Sequence, residues 1–168
     1  LYHKEQYNLT EFQTGLLLTM NGILIFFLEM PLVNYIEKNK ISKVKVVTIG
    51  CFLMSISLFL LLFNNWVGIL ILMMLFMTLA EMLAFPFSNS FAMSRAPKGH
   101  EGRYMAIFTM SYSMAHILSA KIGMELIAQF GYQTNWIVMG VLGIIGTALG
   151  YWVWVLVRRE LLKEAQKS

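Results

Sequence analysis

A few ionisable side chains sit inside otherwise apolar stretches of this sequence, and they are where chemistry is possible. Glu81 lies near the midpoint of an uncharged run from Trp66 to Ser94. Glu29 lies in the run before Ile36, and His116, Lys121 and Glu125 share a run between Tyr104 and Phe130. A carboxylate at mid-bilayer costs roughly 2.5–3.5 kcal/mol on insertion scales, so it faces a polar cavity or a partner rather than lipid. At 1.5 Å per residue, Glu81 is roughly 20 Å from either end of its run, and His116 is roughly 20 Å from Arg103. The two therefore share a depth on oppositely directed segments. A carboxylate and an imidazole at that depth can carry protons; the alternative is a structural hydrogen bond between helices.

Helical spacing sorts the other polar residues. Glu81, Phe85 and Ser88 fall on one face with Thr78 close by, a polar stripe with an aromatic in it, as in a cavity wall. Pro86 removes a backbone donor next to this stripe and predicts a kink. Thr109, Tyr112, His116 and Ala120 share a face of the following segment. Lys121 points about 140° away from His116 at 100° per residue. It either pairs with Glu125, four residues on, or binds anions or gates. Gly15, Gly22 and Glu29 recur every seven residues on one stripe. Asn21 lies off that stripe, where it contacts substrate or bonds across helices. Glu29 is only about 10 Å from its inner end, within reach of interfacial water.

The elements that position these residues follow from composition. The chain is 58% hydrophobic and 13% charged, against about 25% charged in soluble domains. Five apolar segments are predicted, Gly15 to Ile36, Val46 to Phe63, Trp66 to Ser94, Tyr104 to Phe130 and Trp136 to Val157. Each is long enough to span a bilayer, and lipid cannot satisfy free backbone groups, so each must be helical. The fold class is all-α membrane protein with five transmembrane helices. Asn64-Asn65 predicts a tight antiparallel hairpin between the second and third. Segments one, three and four hold the charges and line a polar interior, while two and five face lipid or pack peripherally.

Eleven Lys and Arg fall on one side: Lys38, Lys40, Lys43, Lys45, Arg95, Lys98, Arg103, Arg158, Arg159, Lys163 and Lys167. Only Lys4 falls on the other. The first side is then cytoplasmic, with the N-terminal loop outside and the C-terminal tail inside a cell membrane. Trp66, Trp136, Trp152 and Trp154 fit interfacial belts in that frame. Asn8-Leu9-Thr10 matches a glycosylation sequon on the outer side. The net charge of +4 lies in short loops and does not indicate nucleic acid. Cys51 is the only cysteine, which excludes a disulfide within the chain and a metal site built on cysteines. His100-Glu101 does not continue into a zinc motif, and no nucleophile elbow, Walker loop or dinucleotide fingerprint occurs. Neither an enzyme nor a cofactor is indicated. Gly146 and Gly150 form a GxxxG match in a small-residue face with Gly143. The thirteen methionines are lipid-facing or core filler, or an adaptable binding wall.

Asn21-Gly22, Glu29-Met30-Pro31-Leu32, Glu81-Met82, Phe85-Pro86, Ala96-Pro97 and Gly102-Arg103-Tyr104-Met105 together resemble the C-terminal half of a major facilitator superfamily transporter, of the drug:proton antiporter type. The resemblance covers essentially the whole chain. It implies that residues 1–168 are helices eight to twelve of twelve, a fragment lacking the seventh helix and the N-terminal half. In that family helices seven, eight, ten and eleven line the cavity. The resemblance also implies an acidic-basic loop after the eighth helix, where Glu37-Lys38 stands for an Asp-Arg pair and Pro31 and Lys40 replace the usual glycines. Glu37 would then stabilise one gating state against the helix beginning near Arg103. Ala120-Lys121 stands where many relatives have Gly-Pro.

The function expected is secondary transport by alternating access, with protons exchanged for a small-molecule solute in efflux. Glu81, His116 and Glu29 are the coupling candidates, and Asn21, Phe85, Ser88, Tyr112 and Lys121 the cavity candidates. The alternatives are an uptake permease for a sugar, peptide or metabolite, or a non-transporting receptor or assembly subunit.

Overall fold

The computed structural model describes residues 10–63 and 68–166, apart from the side chains of 164 and 165. The Asn64-Asn65 turn, Trp66, Lys4, Lys167 and the first two residues of the sequon lie outside the described residues. Four helical elements follow one another: α1 (Glu11–Lys38), α2 (Lys43–Leu60), α3 (Gly68–Ser94) and α4 (Glu101–Ala165). All four are long and apolar enough to cross a membrane, and no strand occurs among the described residues.

The ends of the helices extend past the apolar runs because local bonds hold them. Thr10 caps α1: its Oγ1 accepts from Gln13 N at 3.2 Å, and Thr10 N donates to Gln13 Oε1 at 2.9 Å. This reciprocal box satisfies two otherwise open donors. At the other end Asn39 Nδ2 donates to the Tyr35 carbonyl at 2.7 Å. Lys40 then takes a left-handed φ of 52°, a conformation that glycine adopts without steric cost. This is one of the two positions where the resemblance places a glycine.

The predicted segments four and five are the two limbs of α4, which follow one another without an intervening loop. The join is broken at Gly131, where φ is 80° and ψ is 175°. Residues 132–135 resume the helix directly. Thr134 Oγ1 donates across the break to the Phe130 carbonyl at 3.0 Å, and Tyr132 stacks on Trp136 at 6.4 Å. These contacts hold residues 132–135, which lie between the two predicted segments, in helix.

The two helices without charges in their apolar interiors, α2 and the second limb of α4, meet each other through small residues. A carbon added at Gly140 would lie 2.8 Å from the Phe59 ring, and one at Gly150 would lie 2.8 Å from Thr48 Oγ1. On its other side α2 meets α3 at Gly50, where an added carbon would lie 3.0 Å from the Ala80 carbonyl oxygen and the Ala84 nitrogen. With lipid on the outside there is no hydrophobic drive between helices, so such close approach is what holds them. Ile36, Val46 and Phe87 form one buried cluster, and Leu61 and Leu70 another, against Met73, Tyr132 and Trp136. In α1 only Ile36 is buried, and in the first limb of α4 only Gly123.

Candidate functional site

Glu81 is half-buried on α3 and faces a cavity of about 300 Å³. α1 contributes Thr14, Leu17, Leu18 and Asn21; α3 contributes Met73, Met74 and Met77; α2 adds Leu58 and Leu61, and α4 adds Trp136. Among the described residues, Glu81 is the sole ionisable group lining it. Helical periodicity produces this arrangement, since Met74, Met77, Thr78 and Glu81 are spaced three or four apart on α3. Asn21 crosses from α1 into the same place. Its Oδ1 accepts a hydrogen bond from Thr78 Oγ1, and its side chain also reaches the Glu81 carboxylate as a polar partner. Thr78 is 1% exposed, and its hydroxyl also lies 2.8 Å from the Met74 carbonyl. A hydroxyl has one proton to donate, so it serves one of these two acceptors at a time. The spacing places Thr78 only beside the polar stripe; its bond to Asn21 has no signal in the spacing, because it crosses between helices.

The other predicted residues divide into a second group and several outliers. Phe85, one turn on from Glu81, meets Tyr112 edge-on at 5.9 Å, and Tyr112 meets His116 edge-on at 6.3 Å. This aromatic line joins α3 to the first limb of α4, with Tyr112 and His116 on its exposed side. Neither lines the Glu81 cavity. Ser88 donates to the Phe85 carbonyl at 3.0 Å and lines a separate groove with Tyr104 and Phe108. Glu29 is half-buried lower on α1. Lys121 and Glu125 are exposed, as are Glu37 and Arg103. The ion pair formed among the described residues is a different one, Arg95 to Glu160 at 3.0 Å. No group of three or more metal-ligating side chains occurs among the described residues.

This chemistry is that of a membrane-embedded carboxylate with an amide and a hydroxyl beside it and an apolar wall around it. Known proteins similar to this chain point to a family. A family model described as Major Facilitator Superfamily matches residues 1–168. A protein of Planococcus maritimus named as a Na(+), Li(+), K(+)/H(+) antiporter is 23% identical over 142 residues, which are 84% of this chain and 33% of that protein. An uncharacterized MFS-type transporter of Bacillus subtilis (strain 168), YttB, is 29% identical over 135 residues, 80% of this chain and 34% of that protein. The chain thus spans about a third of the length of these curated relatives. No solved structure matches it significantly. With a family match over the whole sequence and relatives named as transporters, the chain belongs to the Major Facilitator Superfamily and is a multi-pass membrane protein.

Proposed function

We propose that the chain is the C-terminal part, helices eight to twelve, of a twelve-helix carrier that exchanges protons for a small cationic solute in efflux, with Glu81 as the shared site. The observation that carries this is the placement of Glu81 as the single ionisable group, among the described residues, in a cavity walled by Leu, Met and Trp with Thr14 and Asn21. A carboxylate there is neutralised either by a proton or by a bound cation. Left bare, it costs roughly 2.5–3.5 kcal/mol at mid-bilayer, which opposes reorientation of the empty carrier. Competition of two ligands for one carboxylate, with the unliganded form penalised, gives obligatory exchange in an alternating-access cycle. Asn21 orients the carboxylate, and the relative named as a cation/H+ antiporter has the same kind of exchange in its name. The break at Gly131 supports counting α4 as two spans: its 65 residues at 1.5 Å each would reach roughly 97 Å as one rod, three times a bilayer core.

The wall favours a cation with an apolar body. Met73, Met74 and Met77 are flexible and polarizable, suited to irregular organic surfaces, whereas a bare alkali ion needs several oxygen ligands. The test uses the full-length protein in proteoliposomes, with Glu81→Gln against wild type. Tetraphenylphosphonium and Na+ are each used to drive proton movement. Loss of solute-driven proton flux in the variant supports the reading, with a stronger response to tetraphenylphosphonium expected in wild type. Proton-coupled exchange that is unchanged in Glu81→Gln refutes it.

A further inference from the structure

At the opposite end of the bundle from Trp136, two cations converge on one aromatic ring. Lys45 Nζ stands 6.0 Å from the centre of the Trp154 ring, and Arg158 Cζ stands 5.9 Å from it. Lys45 comes from α2 and Arg158 from the second limb of α4, so tertiary packing brings them together. They border a cavity of about 380 Å³ whose remaining walls are Ile41, Ser42, Trp154, Val157 and Leu161. The neighbouring charges are committed elsewhere. Arg95 pairs with Glu160 at 3.0 Å, and Lys43 Nζ donates to Ser90 Oγ at 2.6 Å. No carboxylate among the described residues lines the Lys45–Arg158 cavity, and Ser42 makes no side-chain cap hydrogen bond.

Two positive charges with no anion between them repel each other, and the attraction of the indole face offsets this only in part. A phosphate diester placed between them relieves the repulsion and takes charge-assisted hydrogen bonds from both, with the Ser42 hydroxyl as a further donor. The rest of the cavity suits what is attached to such a phosphate in a bilayer. Ile41, Val157 and Leu161 are apolar, and tryptophan has its usual place at the headgroup level. We infer that Lys45, Arg158 and Trp154 form a binding site for the phosphate of an anionic membrane lipid, with its acyl chain against Val157 and Leu161. The site is separate from the Glu81 cavity and does not depend on it.

The experiment uses the full-length transporter, purified in detergent and examined by native mass spectrometry with phosphatidylglycerol or phosphatidylcholine added. Each basic side chain near an anionic surface is worth roughly fivefold in affinity, so Lys45→Gln/Arg158→Gln is expected to lower phosphatidylglycerol binding roughly 25-fold, to the level of phosphatidylcholine. A charge-matched control, Lys38→Gln/Lys40→Gln, is expected to retain it. A second measurement needs no cationic variant: brominated phosphatidylglycerol quenches the wild-type tryptophan fluorescence, and Trp154→Phe removes that part of the quenching. Equal loss in the control pair would overturn the site, as would equal retention of the two lipids by wild type. Displacement of the lipid by equimolar glycerol phosphate would assign the site to a free anion and overturn the lipid reading.

Discussion

Replacing Gly143 by alanine tests how α2 and α4 are held together. A methyl carbon at Gly143 would overlap Ser55 Oγ and lie 3.3 Å from Ser55 Cβ and 3.5 Å from its Cα. Ser55 is 1% exposed, and its hydroxyl donates to the Cys51 carbonyl at 3.0 Å, so it has little room to turn away. Overpacking of this kind costs about 1–3 kcal/mol. Alanine returns up to about 1 kcal/mol of helix propensity over glycine. The net expectation is a loss of roughly 0.5–2 kcal/mol. Gly146, three residues on, has nothing within 4 Å of an added carbon, so Gly146→Ala keeps only the propensity gain and is neutral or stabilising. Ser55→Ala removes the overlapping oxygen, and in the double variant most of the Gly143→Ala cost disappears, a coupling of roughly 1–2 kcal/mol. The assay is equilibrium unfolding of the full-length protein in mixed detergent micelles, run as a double-mutant cycle. If Gly143→Ala and Gly146→Ala shift stability alike, or if Ser55→Ala leaves the Gly143→Ala cost untouched, the packing described for α2 and α4 is refuted.

Two further substitutions test contacts around the carboxylate and at the bundle's basic end. Thr78→Val removes the hydroxyl that bonds Asn21; cross-helix bonds in bilayers are worth about 0.6–1.7 kcal/mol. A loss in that range, recovered by Thr78→Ser, is expected in the same unfolding assay, and a silent Thr78→Val would show that the bond holds nothing. Arg95→Gln breaks the pair with Glu160, whose side chains are 45% and 60% exposed. Exposed pairs are worth at most about 1 kcal/mol and are screened by salt. Little change is expected, and less at high salt; a larger loss would mean that Arg95 does more than pair at the surface.

The legible part of the site was the part carried by single helices. An acid in an apolar run, Glu81, is costly enough to declare itself without any structure, and the Phe85 to Tyr112 to His116 line joins residues that spacing puts on one stripe of each helix. Ser88 shares the Glu81 stripe by number but lies about two turns further along α3, where the groove it lines is completed by Tyr104 and Phe108. Of the small-residue face Gly143, Gly146 and Gly150, the first and last make close contacts while Gly146 meets nothing, and Gly140, outside that reading, makes a third contact. Spacing gives the azimuth of each residue about its own axis, and many pairs of azimuths are compatible with one sequence.

Composition and periodicity by themselves determined that this protein is helical and membrane-bound, which runs are apolar, and which few side chains lipid would reject. Each of those properties is local, set by the transfer cost of a residue and the 3.6-residue turn. Only the tertiary structure decided that Asn21 and Thr78 meet beside Glu81, that α4 continues through residues 132–135, and that Lys45 and Arg158 share Trp154. Those depend on which helices approach each other, and between helices in lipid that choice rests on shape fit and a few cross-helix bonds rather than on hydrophobicity.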